Sequence, residues 1–314
     1  MSVSLNIATF NLENLFIKEV LPEYENPHFF KSIEKVEALK LVFNDIDADI
    51  YALQEIGFIE SLVYFNEKYL GSKYEVFHKK GNSSRNIEIA FLVKKETLKE
   101  YELNVELINH YKQKIESPYT EDEVYYLEQK GFKDNFKLSR NLLELSLIKD
   151  NSHIASLFNC HLKSARDETG LDFKSNKRRK SELELCVKII ENQARKLSVF
   201  LGDFNGNASA NQTEKEFSAL YEHGYQDVLK RSDYPLEYRA TFFAFSKKKR
   251  VPIQLDYAFL KEENLKYVSS PMIYRFKNDL GRPRPFPKSR YDVLKSPSDH
   301  YPLVFTLEIP PANA

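Results

Sequence analysis

The chain has 314 residues, 42% hydrophobic and 29% charged, with 46 basic and 46 acidic side chains and a formal net charge of zero. That length and apolar content suffice for a large core, and the charge balance excludes a protein that holds polyanions through overall charge alone. Two cysteines, Cys160 and Cys186, are too few for a disulfide framework or a structural zinc site, and no apolar run approaches the roughly 20 residues of a membrane helix.

Residues 4–12 alternate apolar and polar side chains, as a strand does. Residues 30–44 place Phe30, Ile33, Val36, Leu39 and Phe43 at helical spacing. The run 49–56 reads as a short buried strand that ends in Gln54 and Glu55, and 58–70 reads as a helix. Strands are expected at 74–78 and 87–94, around the polar turn that starts at Gly81. Residues 96–137 are polar and weakly patterned, and read as an insertion with short helices of its own. Strands follow at 141–148 and 153–160, then an amphipathic helix over 177–195 that turns Leu183, Cys186, Val187 and Ile190 inward. Leu197–Leu201 is a largely apolar strand, 211–221 is helical, and 254–260 and 301–308 are late strands. Cys160 and Cys186 fall in apolar periodic segments and read as buried small side chains. Without a repeat or a flexible linker, the chain reads as one domain over 1–314. Strands and helices mix throughout, which implies sheets covered by helices. The amino terminus lacks a basic region followed by a long apolar run, so no signal peptide is expected and a reduced cytoplasmic setting is the default.

Several apolar runs end in acid, amide or imidazole side chains, which is how a scaffold brings chemistry to one sheet edge. Glu55 closes one such run and offers a hard oxygen donor to Mg²⁺; alone, it could equally be a solvated strand end. Asn11 closes the first strand, and its amide can ligate metal, hold a carboxylate or simply form a turn. Asp203 and Asn205 follow the apolar strand two residues apart, so a base and a phosphate-positioning amide can share one side. His161 and His300 both sit at element ends among polar neighbours, and such a pair can stabilise phosphorane-like charge and protonate a leaving group. Each needs an acid to orient it. Asp256, costly inside an apolar strand unless paired, is one candidate partner, and Glu88 is another. The other five histidines read as surface or structural. Arg140 begins a strand, where a fixed guanidinium can bind a phosphate oxygen or form a surface salt bridge.

The ordered set Asn11, Gln54-Glu55, Arg140, His161, Gly202-Asp203-Phe204-Asn205, Asp256 and Ser298-Asp299-His300 resembles the endonuclease/exonuclease/phosphatase superfamily, which includes DNase I and the abasic-site endonucleases. The match spans Asn11 to Leu303. The resemblance implies a DNase I-like four-layer α/β fold: a two-sheet sandwich flanked by helices, with the site at one sheet edge. It implies Mg²⁺ or Mn²⁺ held by Glu55 with Asn11, and a second metal position near Asp299. It implies Asp203 as proton-transfer group, Asn205 as positioner of phosphate or nucleophile, and His161 and His300 as the electrophilic pair, with Asp256 orienting His300. The strand start at Ser139-Arg140 is closer to the DNase I-like branch than to the abasic-site branch.

Basic blocks flank three of these motifs: Lys174, Lys177, Arg178, Arg179 and Lys180; Lys247, Lys248, Lys249 and Arg250; and Arg282, Arg284, Lys288 and Arg290. Together they could contact several phosphates of a polyanion, or they could be solvated loop charges. The expectation is a divalent-metal-dependent phosphodiesterase, a nuclease acting on DNA or RNA, with no membrane segment and no obligate protein partner. A phosphatase or phosphodiesterase of phospholipids, inositol phosphates or nucleotides needs a similar site. A non-catalytic binding protein on the same fold is the third reading.

Overall fold

The computed structural model describes residues 2–23, 29–83, 85–132, 136–167, 169–208, 215–231, 234–246 and 249–311. In chain order the strands and α-helices are β1 (Val3–Asn11), α1 (Ile33–Ile46), β2 (Ile50–Gln54), α2 (Ile59–Leu70), β3 (Tyr74–Phe77), β4 (Ile89–Lys94), α3 (Lys95–Glu100), β5 (Asn104–Asn109), α4 (Glu121–Gln129), β6 (Leu143–Lys149) and β7 (Ser152–His161). Then come α5 (Asn176–Gln193), β8 (Ser198–Asp203), α6 (Ser218–Glu222), β9 (Tyr225–Asp227), α7 (Leu236–Arg239), β10 (Phe242–Ser246), β11 (Lys249–Ile253), β12 (Asp256–Lys261), β13 (Val268–Ile273), α8 (Arg290–Leu294) and β14 (Leu303–Ile309).

Two six-stranded sheets form the body, in the orders β13-β14-β1-β2-β4-β3 and β5-β6-β7-β8-β12-β9, and β10-β11 is a separate hairpin. One apolar cluster fills the space between the sheets, where Ile7, Leu53 and Leu303 of the first join Leu145, Leu157 and Val199 of the second. On the first sheet's outer side, Phe43 of α1 meets Phe10, Tyr51 and Phe65. On the second, Leu183, Cys186, Val187 and Ile190 of α5 pack with Phe158, Phe200 and Phe259. Both cysteines are free and buried there, and burial holds their thiols above the ordinary range, so they behave as small apolar groups. Among the described residues, no helix is long and apolar enough to cross a membrane.

Each sheet contains one parallel pair among otherwise antiparallel neighbours: β1 with β2, and β7 with β8. A parallel pair ends both its strands at one edge. Asn11 therefore stands beside Gln54, with Glu55 next in the chain, and His161 stands beside Asp203. The antiparallel neighbours β12 and β14 begin at that edge. Asp256 opens β12 opposite Asp203, and Leu303, just after the Ser298-Asp299-His300 turn, opens β14 opposite Thr9.

The stretch 96–137 differs from expectation. Its first third is part of the second sheet, because Asn104–Asn109 pairs in full register with β6 as an edge strand. Its alternation, Asn104-Val105-Glu106-Leu107, is short and sits in a largely polar stretch, which hid it. Helix α3 (Lys95–Glu100) leads into that strand, and the described residues after Asn109 include α4, entered through a Thr120–Glu123 capping box. The helix expected over 211–221 is shorter, a 3₁₀ turn at Lys215–Phe217 leading into α6; residues 211–214 lie outside the described residues.

Candidate active site

Glycine at 202 is required by the strand pairing beneath the site. Its φ is +136°, and a Cβ there would stand 2.1 Å from the carbonyl oxygen of Cys160 on the paired strand. The close approach sets Asp203 directly opposite His161. Two site residues that are not glycine also adopt left-handed backbone, Glu55 at φ +56° and Asn205 at φ +54°. Such geometry is unfavourable for Glu, and it turns the Glu55 side chain out of the strand's alternation.

Asp203 is buried and fully dressed. Its Oδ2 accepts from Asn11 Nδ2 at 2.9 Å and Asn205 Nδ2 at 3.2 Å, and its Oδ1 accepts from the Asn205 backbone N–H at 2.8 Å. Burial pushes the Asp203 carboxyl up to about 7, with Asp256 adding to the rise against the pull of His300. His300 Nδ1 lies 2.7 Å from Asp256 Oδ2. Burial works to lower this imidazole, but the charges of Asp256 and Asp203 outweigh it and hold it well above its ordinary range. Ser298 Oγ fixes the turn by donating to the Asn11 carbonyl at 2.7 Å and accepting from the His300 N–H at 3.1 Å.

His161 Nε2 stands 3.7 Å from Glu55 Oε1 and 3.6 Å from Asp203 Oδ2. Burial, then the positive charge of Arg140, keep this imidazole well below its ordinary range and therefore neutral. Glu88 is not its partner: Glu88 Oε2 accepts from the Gly81 N–H at 2.7 Å and faces His78 at 3.9 Å. Glu55 Oε2 accepts from the Asn14 N–H at 3.1 Å, and burial, with help from Asp299, raises its carboxyl.

Glu55, Arg140, His161, Asp203, Asn205, Asp299 and His300 line one cavity of about 580 Å³. Asp256 lies behind His300, and Asn11 reaches the group through Asp203. Each residue given a site role by the family resemblance, from Asn11 to His300, thus falls in or directly behind one cleft. Three features went unread. Gln54 Nε2 donates to Asn159 Oδ1 at 2.8 Å, while Asn159 Nδ2 donates to the carbonyls of Leu53 and Ala90, so a polar bridge spans the two sheets under the site. Thr241 Oγ1 accepts from the Asp256 N–H, and the neighbouring Phe242 bridges to His300. Arg85 lines the same cavity from the loop before β4.

The donor set can be tested against a divalent ion. Asp203, Asp256 and His300 bring ligand atoms within 4.8 Å of one another, but His300 Nδ1 is already committed to Asp256. That trio reads as a proton-transfer cluster. The oxygen donors Glu55 and Asp299, whose charges disfavour each other, fit the hard-cation chemistry of Mg²⁺ or Mn²⁺ better, with Asn11 at their edge. Asn11 Oδ1 also accepts from the Glu13 N–H at 2.9 Å, which leaves one lone pair.

Comparison with known proteins separates sequence from fold. No family model matches the chain, and no curated protein matches it by sequence. Solved structures do match. An endonuclease/exonuclease/phosphatase family protein from Bacteroides thetaiotaomicron superposes with a TM-score of 0.60 at 16% identity, covering 99% of this chain and 100% of that one. The fold is that of the DNase I-like superfamily. A humanized D. rerio TDP2 matches at TM-score 0.58 and 16% identity, over 96% of this chain and 98% of that one. A mannosyl-6-phosphatase from Bacteroides thetaiotaomicron matches at 0.58 and 15%, with the same coverage.

The basic blocks look different in three dimensions. Arg178 and Arg179 are buried and hold the protein together: Arg178 Nε pairs with Glu182 at 3.1 Å, and Arg179 Nε with Glu216 at 2.7 Å. Lys177 pairs with Glu123, Lys180 with Glu184 and Arg250 with Glu237. Lys247 and Lys248 lie outside the described residues. The expectation that these blocks form a free polyanion track is therefore wrong for Arg178 and Arg179, because an arginine inside a helix packed on a sheet meets buried acids before solvent.

Proposed function

We propose that the chain is a divalent-metal-dependent phosphoric ester hydrolase, and that its substrate is a phosphodiester of DNA or RNA. The observation that carries this reading is the convergence in one cleft of an Asp256–His300 pair, a second buried carboxyl at Asp203 and the guanidinium of Arg140. Asp203 is the proton acceptor for an attacking water; Asn11 and Asn205 hold its carboxylate in place. A carboxyl that ionises near neutrality is suited to that task. His300 is charged at neutral pH, with Nδ1 fixed by Asp256, and presents its other nitrogen to a phosphate or leaving oxygen. His161 is neutral and offers a hydrogen bond without a charge. Arg140 binds a phosphate oxygen. Glu55 and Asp299, with Asn11, would hold the metal, which when bound would neutralise charge on the phosphate and lower the pKa of water.

A second reading, a phosphatase of small phosphoesters, is favoured by the internal pairing of the basic blocks and by the similarity to the mannosyl-6-phosphatase. A panel of plasmid, single-stranded DNA, RNA, bis-para-nitrophenyl phosphate and sugar phosphates, each with Mg²⁺, Mn²⁺ or EDTA, separates the readings. Strand cleavage that EDTA abolishes is expected. Release of phosphate from monoesters alone would select the second reading, and inertness toward every substrate with both metals would reject both.

A further inference from the structure

The catalytic cavity has a neighbour. A second cavity of about 340 Å³ lies beyond Arg140, walled by the segment after β5 and by the loop that leads to α5. Arg140 and Arg85 line both cavities. Arg140 is only 8% exposed, its Nε is buried without a hydrogen-bond partner, and among the described residues it makes no ion pair. A buried guanidinium left this way is unfavourable unless something outside the fold satisfies it. Arg85 is exposed and likewise makes no ion pair or hydrogen bond among the described residues; the Arg140 charge is disfavoured first by burial and also by Arg85, against the pull of Glu182 and Glu55. Two cations that repel each other across an open wall form a place for an anion.

The far side of this cavity is also cationic and polar. It adds Lys163, Asn82 and Ser139, together with Arg178, which is paired with Glu182. Among the described residues its one lining carboxylate is Asp167, which already accepts from the Thr169, Gly170 and Asp172 N–H groups. The cavity is large enough for a phosphate and part of the group that carries it, but not for another protein element.

Resting on the hydrolase reading, we propose that this second cavity binds a second, uncleaved phosphate of the same substrate, with Arg85 and Arg140 bridging it and the scissile phosphate. The substrate then bears two phosphates one linking group apart, as adjacent nucleotides or a polyphosphorylated small molecule would. Arg85 becomes the residue that selects for the second phosphate, because planar guanidinium groups meet phosphate oxygens in pairs.

The test reads binding without turnover, so it stands apart from the activity panel. In EDTA, affinities of the wild type and Arg85→Gln are measured by calorimetry for thymidine 3′,5′-bisphosphate against thymidine 5′-monophosphate, and for an inositol bisphosphate against the monophosphate. Wild type should prefer a bisphosphate by about 10-fold, the worth of one charge-assisted contact, and Arg85→Gln should lose that preference. A preference confined to the nucleoside pair assigns the second phosphate to a nucleic-acid strand, and one confined to the inositol pair to a small molecule. Equal affinity for mono- and bisphosphate in wild type, or a preference that survives in Arg85→Gln, overturns the proposal.

Discussion

Asp203 and His300 differ in charge type, yet the site moves both in the same direction, and this has a measurable consequence. A carboxyl raised to about 7 favours its protonated form in the folded chain, so the stability it contributes is complete below the unfolded value near 4 and is lost as pH rises through 7. An imidazole held above its ordinary range contributes stability that is complete below about 6.5 and is lost as pH rises through the folded value. The metal-free protein should therefore melt at a lower temperature at pH 8 than at pH 5.5, and Asp203→Asn should narrow that gap. The same substitution should lower turnover by roughly 10²-fold or more, as loss of a general base does. A gap that is unchanged in Asp203→Asn, measured in EDTA by scanning calorimetry, would show that this carboxyl titrates normally. At this scale the sequence was readable wherever a polar residue closed an apolar run, as at Asn11, Glu55, His161 and Asp203. It was unreadable at Arg85 and Asn159. Arg85 matters only through a cavity formed by distant segments, and Asn159 has the alternation of an ordinary strand residue until the other sheet covers it.

Among the elements, the two parallel pairs do the positioning, and their fit depends on a missing side chain. Gly202→Ala would drive a Cβ into the Cys160 carbonyl at a backbone angle that alanine resists. Strain and overpacking of this kind cost about 3 kcal/mol together, enough to lower the melting temperature by several degrees. Gly71 provides the comparison, because it is also at positive φ (+64°) but has nothing within 4 Å of the place an added methyl would take. Gly71→Ala should cost only the backbone strain, about 1 kcal/mol. Equal losses in the two variants would mean that β7 and β8 can part without penalty. In the two pairs, β2 and β8 were legible because a strand covered on both faces is largely apolar, and β1 because its side chains alternate. The edge strands β5 and β9 and the hairpin β10-β11 were not: β5 is a short alternation inside a largely polar stretch, β9 has three residues, and the hairpin is partly or fully exposed over most of its length. Their omission hid Thr241 and Phe242, which brace the Asp256–His300 pair from outside both sheets.

Over the whole molecule, equal numbers of acids and bases conceal an uneven distribution: many cations near the site are consumed by the fold, and a few are left open. Arg179 is an example of the first kind. It is 2% exposed, with Nε on Glu216 and Nη1 on the carbonyls of Lys163 and Lys174, so it ties the loop after His161 to α5. From the sequence alone it could not be told from its neighbour Lys177, since both sit in one basic run. The two roles predict opposite results for Arg179→Met. As a structural tie, its loss removes the partner of a buried carboxylate, which costs about 3–5 kcal/mol and should register as a lower melting temperature with cooperative unfolding retained. Activity on an oligonucleotide and on a small phosphodiester should then fall in parallel, and the salt dependence of oligonucleotide binding should keep its slope. As a polyanion contact, its loss would leave the melting temperature unchanged and reduce that slope by about one ion. Because Arg179 belongs to α5, the helix that connects β7 to β8, yet borders the catalytic cavity, the first outcome would also show that the cleft wall and the outer helix unfold as one unit.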